Sequence, residues 1–150
     1  MQRILDQVIA LILQEGQAKA GVLETLDLIE ARGLKIGLAT SSPFTMVEAV
    51  LGKLGIRDRF MAVHSAEVER FGKPHPDVYI HAAEKLGVDP VHCLAIEDSF
   101  TGLLAAKAAS MKALIVPDPA LVGDPRLAIA DHQLRSLAEL DADMLARWVA

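Results

Sequence analysis

The apolar stretch over 91–96 ends abruptly at two adjacent carboxylates, Glu97 and Asp98, and a helix-like pattern begins directly after them at Ser99. A short, continuous apolar run of this kind reads as a buried parallel strand, so the acids fall at its carboxyl end. In open α/β sheets that edge is where ligands bind. Neighbouring carboxylates repel each other unless a cation neutralises them, and a hard divalent ion such as Mg²⁺ is the usual partner. The stretch therefore constrains both the fold class and the place to look for chemistry.

The rest of the chain alternates helix and strand around it. Ile4, Leu5, Val8, Ile9 and Ile12 stand at helical spacing, which predicts an amphipathic helix over 3–15. A second helix is predicted over 22–31, with Gly33 in the position of a left-handed cap. LKIGLA over 34–39 reads as a strand, and Ser42-Pro43 as an N-cap followed by proline in the first helical position of a helix running to about Leu54. Further strands are predicted over 60–64 and 113–116, and further helices over 77–86, 99–109 and 141–149. Residues 117–126 hold three prolines and a glycine and read as a loop. Such alternation implies an α/β fold with a doubly wound parallel sheet and right-handed crossovers.

Composition removes several classes of function. At 150 residues the chain amounts to one domain, large enough to bury a core. A net charge of −5, without a Lys/Arg cluster, argues against nucleic acid as a partner. No apolar segment approaches the roughly 18 residues of a membrane span, and Asp6 and Gln7 interrupt the first apolar stretch, so it does not read as a signal peptide. The single cysteine, Cys93, lies in the apolar run and is expected to be a buried, reduced core residue, which points to the cytoplasm.

Three polar clusters follow three predicted strands. Thr40-Ser41-Ser42 precedes a helix, where backbone N–H groups and hydroxyls can cradle a phosphate; Ser42 is equally an ordinary N-cap there. Lys73-Pro74-His75-Pro76 is a loop stiffened by two prolines, able to hold an ammonium over an anion; it is equally a surface turn. Glu97-Asp98-Ser99 offers carboxylates for a metal, while Asp98 or Ser99 is also a natural helix cap. Taken together, the clusters converge on one sheet edge. Phosphoryl chemistry needs such donors, a cation and a metal held by carboxylates.

In order, LATSSP, GKPHPDVY and LAIEDSFTG resemble motifs two, three and four of the haloacid dehalogenase-like hydrolases, most of all the β-phosphoglucomutase-like and sugar-phosphate phosphatase branch. The likeness covers roughly residues 20–120, and the C-terminal segment resembles the tail of bacterial hexose- and hexitol-phosphate phosphatases. The resemblance implies that Thr40 hydrogen-bonds the transferring phosphoryl group, with Ser41 adding a backbone N–H. It implies that Lys73 balances charge on the nucleophile and the phosphoryl group. Glu97 and Asp98 would belong to the Mg²⁺ site, Asp98 being the better candidate for direct or water-mediated ligation, and the substrate would be a small phosphate ester.

The family also opens with a strand ending in D-x-D, whose first aspartate is the nucleophile and second the general acid/base. Nothing here matches it. Asp6 is followed two residues on by Val8, and Asp27 by Ile29, both in helical patterns. The resemblance then implies that residues 1–16 are the last helix of a helical cap, that residues 17–150 form the core domain, and that the sheet lacks its first, central strand. The chain is accordingly expected to be a shortened form of a phosphatase, inactive alone, with exposed strand edges that favour self-association. Alternatively it is a non-catalytic module that binds phosphate or Mg²⁺ or serves as an interaction partner. A phospho-receiver domain would need an acidic pair after its first strand, and nucleotide binding would need G-x-G-x-x-G or G-x-x-x-x-G-K-[ST]; the chain has neither.

Overall fold

The computed structural model describes residues 2–149. Six helices and five short strands follow one another as α1 (Gln2–Glu15), α2 (Val22–Ala31), β1 (Gly37–Thr40), α3 (Phe44–Leu54), β2 (Ala62–Ser65), α4 (Asp77–Leu86), β3 (Leu94–Glu97), α5 (Phe100–Ala108), β4 (Lys112–Ile115), β5 (His132–Gln133) and α6 (Ala142–Trp148). All strand pairs are parallel. β1 pairs with β2, and β4 lies between β3 and β5, so the described strands form a two-stranded and a three-stranded sheet. β1 and β3 do not pair with each other, which fits a sheet without its central strand.

Side-chain alternation along each strand shows why helices cover both faces. Ala95, Ala113 and Ile115 point into a core with Val78 and Ala83 of α4 and Leu103 and Ala106 of α5. Their neighbours Leu94, Ile96 and Leu114 point the other way, onto Leu28 and Ile29 of α2 and Leu145 of α6. β1 divides likewise: Ala39 meets the first core, and Leu38 joins Leu26 of α2 and Val47 and Leu51 of α3. A period of two that is apolar on both phases is the mark of a doubly covered sheet. α2 contributes to two of the cores and so bridges the two sheets.

The helix ends follow their sequence signals, with one shift. Gly33, Gly55 and Gly87 all adopt positive φ just past a helix, where a side chain would be strained. Ser99 and Asp141 cap α5 and α6 by accepting from the N–H groups of Gly102 and Met144. At α3, however, Ser42 is not the cap. Pro43 occupies that position in an extended conformation, and the Glu67 carboxylate accepts from the N–H of Phe44 at 2.9 Å.

Two other expectations are corrected. The predicted strand over 91–96 begins three residues later. Pro90 has no N–H to give a ladder, and Asp89 caps a 3-10 turn over Pro90–His92 by accepting from Val91. Cys93 therefore precedes β3 and is only partly buried. Burial and the Asp89 charge both raise its thiol pKa. α1 lies on α3, with Lys53 donating to the Leu13 carbonyl at 2.7 Å, and leaves Ile4, Leu11 and Leu13 largely exposed. Among the described residues, no helix is long and apolar enough to cross a membrane.

Candidate phosphate and metal site

The carboxyl ends of β1 and β3 face each other across a cleft of about 840 Å³. Thr40, Ser41, Ser42, Lys73, Glu97 and Asp98 all line it, so the three polar clusters do meet. The parallel register is what achieves this, because each strand delivers its last residue to the same edge.

The Thr40 oxygen accepts from the N–H of Ser42 at 3.0 Å. Its own hydroxyl hydrogen remains available to a ligand, since a hydroxyl can accept and donate together. Behind this turn Ser65, fully buried, donates to the Ser42 carbonyl at 2.6 Å and fixes it to the end of β2.

Lys73 reaches into the cleft from the loop before α4. Its ammonium donates to the Ala39 carbonyl at 3.3 Å and pairs with Glu97. It also lies 4.7 Å from the centroid of the Tyr79 ring, a cation–π distance. The Tyr79 hydroxyl donates to the same Glu97 oxygen. The other Glu97 oxygen accepts from the Asp98 N–H and the Ser99 hydroxyl, each at 3.3 Å. Burial, reinforced by the nearby Glu97 charge, pushes the Tyr79 phenol far up, so it stays a donor at every ordinary pH.

The two acids thus have different surroundings. The Glu97 side chain is 7% exposed and turned toward Lys73 and Tyr79. That of Asp98 is 57% exposed in the cleft, with Lys19 at 3.4 Å as a loose partner. Such a pair in water contributes little.

Four cleft features lay outside the sequence reading. Tyr79 stands within the GKPHPDVY string without a role assigned there. It is the chain's only tyrosine, and a buried tyrosine needs a partner for its hydroxyl, which is the signal that could have found it. Gly102 provides the space for Glu97, since a β-carbon there would lie 2.1 Å from the Glu97 carboxyl carbon. Lys19 and Arg135 line the rim, and no local pattern distinguishes them from other surface cations.

The chain is similar to known proteins over most of its length. The family model for haloacid dehalogenase-like hydrolases matches residues 2–110. Hexitol phosphatase B of Escherichia coli K12 is 44% identical over 142 residues, which cover 95% of this chain and 64% of the relative. The β-phosphoglucomutase of Bacillus subtilis is 36% identical over 125 residues, covering 83% of this chain and 52% of the relative. The crystal structure of CbbY from Rhodobacter sphaeroides in complex with phosphate superposes with a TM-score of 0.81 at 28% identity, covering 90% of this chain and 61% of that one. The chain spans less than two thirds of the length of these relatives. With the family match across most of its length and the shared fold, the chain belongs to the haloacid dehalogenase-like hydrolases.

Proposed function

We propose that this chain carries the phosphate-holding and Mg²⁺-holding part of a phosphomonoesterase acting on small sugar or polyol phosphates. The observation that carries this reading is the convergence of Thr40, Ser41, Lys73 and Asp98 on one cleft at the ends of β1 and β3. In it, the Thr40 hydroxyl and the Ser41 N–H donate to phosphoryl oxygens, and the Lys73 ammonium balances their charge. Asp98, with Glu97 behind it, supplies hard carboxylate oxygens. Mg²⁺ takes one or two carboxylates, waters and substrate phosphate oxygens, and the exposed, loosely paired Asp98 fits that demand. When bound, such an ion neutralises charge developing on the phosphoryl oxygens.

The full reaction in this reading is a carboxylate attack on phosphorus. It forms an aspartyl-phosphate and expels the sugar oxygen, which takes up a proton; water then hydrolyses the acyl phosphate. Glu97 and Asp98 are the only carboxylates among the described residues lining the cleft, and both are committed to the cation side. The attacking aspartate is therefore not in this stretch of sequence, and the chain alone binds without turnover. Within the same reading α1 is the last helix of a substrate-covering cap, residues 17–150 are the core, and the protein works in the cytoplasm.

Calorimetric titration with inorganic phosphate in the presence of Mg²⁺ tests the binding half. Lys73→Ala should weaken binding about 10-fold or more, the value of a charge-assisted hydrogen bond. Absence of binding by the unaltered chain would overturn the reading. Hydrolysis of p-nitrophenyl phosphate, lost in Asp98→Asn, would instead reveal a nucleophile within these 150 residues. A second reading, a binding module without chemistry, is favoured by the lack of an attacking carboxylate. It would be supported by phosphate binding that persists without turnover after a D-x-D segment is supplied.

A further inference from the structure

Away from the cleft, three metal-ligating side chains converge where β2, the segment after it and α4 meet. His64 stands on β2, Glu69 follows the short turn Ala66–Val68, and His81 lies on α4. One ligand atom from each lies within 4.8 Å of the other two, the one such group among the described residues. His81 Nδ1 is 2.7 Å from Glu69 Oε1, and His64 Nε2 touches the same oxygen. The two rings meet edge to face, with centroids 5.7 Å apart and planes at 79°. The side chains of His64 and Glu69 are 6% and 7% exposed, whereas that of His81 is 41% exposed and leaves an entrance from solvent.

We infer that His64, Glu69 and His81 form a site for a borderline transition cation of the Zn²⁺ type, with water completing the shell. Two imidazoles and one carboxylate suit such an ion, whereas Mg²⁺ prefers an all-oxygen set. Metal–ligand distances of about 2.0–2.2 Å place tetrahedral ligands about 3.4 Å apart. The His81–Glu69 contact must therefore open by less than an ångström from its 2.7 Å. Without metal, each ring donates a proton to Glu69; with metal, each proton moves to the other ring nitrogen. Water can receive the one on His81. The one on His64 has no acceptor, because buried Nδ1 has no partner. A missing outer partner costs about 10–100-fold in affinity, so the site is one of moderate strength. Glu69 precedes Lys73 by four residues, so the cation ties the head of the Lys73 loop to β2 and α4.

Titration of the tag-free, chelator-stripped chain with Co²⁺, followed by visible absorption, tests this independently of phosphate binding. One equivalent should give the intense bands of low-coordinate cobalt, and Zn²⁺ should displace them. His81→Asn and Glu69→Ala should each weaken binding about 10-fold or more, and Asp98→Asn should leave it unchanged. No saturable band, an unaltered His81→Asn, or a band lost in Asp98→Asn would overturn the inference. Circular dichroism monitors folding of the buried Glu69 variant. If that variant does not fold, imidazole ¹⁵N spectra of the unaltered chain decide: Zn²⁺ must shift His64 and His81, and shifts confined to His75, His92 or His132 would overturn it.

Discussion

At the scale of single residues, the cleft depends on how one buried carboxylate is held. Glu97 has Lys73 and Tyr79 on one oxygen and the Asp98 N–H and Ser99 hydroxyl near the other, so its charge is matched although it is nearly out of water. Tyr79→Phe removes one charged hydrogen bond without opening a cavity. It should cost about 1.5–3 kcal/mol in urea unfolding; a change below half a unit would show the hydroxyl to be idle. Gly102→Ala sets two effects against each other. Alanine favours a helix by about 1 kcal/mol over glycine. Its β-carbon would lie 2.1 Å from the Glu97 carboxyl carbon, so the carboxylate must leave its partners. Overpacking and broken charged bonds together outweigh propensity, and the variant should lose about 3 kcal/mol or more and also lose phosphate affinity. A stabilised Gly102→Ala would refute this account. The sequence pointed to the polar clusters that the fold brings to one cleft, because they stand after predicted strands. It did not reveal that Glu97 turns inward and Asp98 outward, since that depends on a tyrosine eighteen positions away in sequence from Glu97.

At the scale of elements, the joints between helix and strand are legible where the signal is chemical and local. Gly33 ends its helix as its position suggested, Gly55 and Gly87 do the same for α3 and α4, and Ser99 and Asp141 cap the helices they precede. The N-terminus of α3 departs from the local signal because the carboxylate that accepts from its first N–H, Glu67, comes from another segment. β5 has only His132 and Gln133, with no apolar period, and could not be recognised; its pairing with Leu114 and Ile115 alone defines it. A single carboxylate joins these pieces. Asp131 accepts from the Ala113 N–H at 2.7 Å and from Lys107 at 2.6 Å, tying α5, β4 and the approach to β5 together. Burial pushes its pKa up, but the hydrogen bonds from Lys107 and Ala113 prevail and hold it below the ordinary 3.8. A carboxyl lowered on folding stabilises the fold above its unfolded pKa, and that stabilisation is lost as pH falls through the folded value. Melting temperature should thus fall between about pH 5 and pH 2.5, and Asp131→Asn should flatten that fall and lie below the unaltered chain only at the upper end. Parallel curves for the two proteins would refute the assignment.

At the scale of the whole molecule, alternation of apolar runs and helical patterns was enough to specify a sheet covered on both faces, and the cores on either side of β3 and β4 match it. What periodicity cannot report is which strands are neighbours, and the consequence here is large. Among the described residues β1 pairs only with β2, and β3 only with β4, so each presents a row of backbone donors and acceptors to the cleft between them. The sheets are held together by helices instead: α2 packs into cores on both sides of the division. Unpaired edges recruit other strands, and exposed apolar helical surface such as Ile4, Leu11 and Leu13 of α1 adds to the tendency. The isolated chain should therefore associate. Sedimentation velocity over a series of loading concentrations should show a weight-average coefficient that rises with concentration. Replacing Leu11 by lysine should reduce the rise without abolishing it, because the strand edges remain. A single monomeric boundary at every concentration would mean that α2 and the cleft walls shield both edges, and that the divided sheet is a stable architecture in its own right.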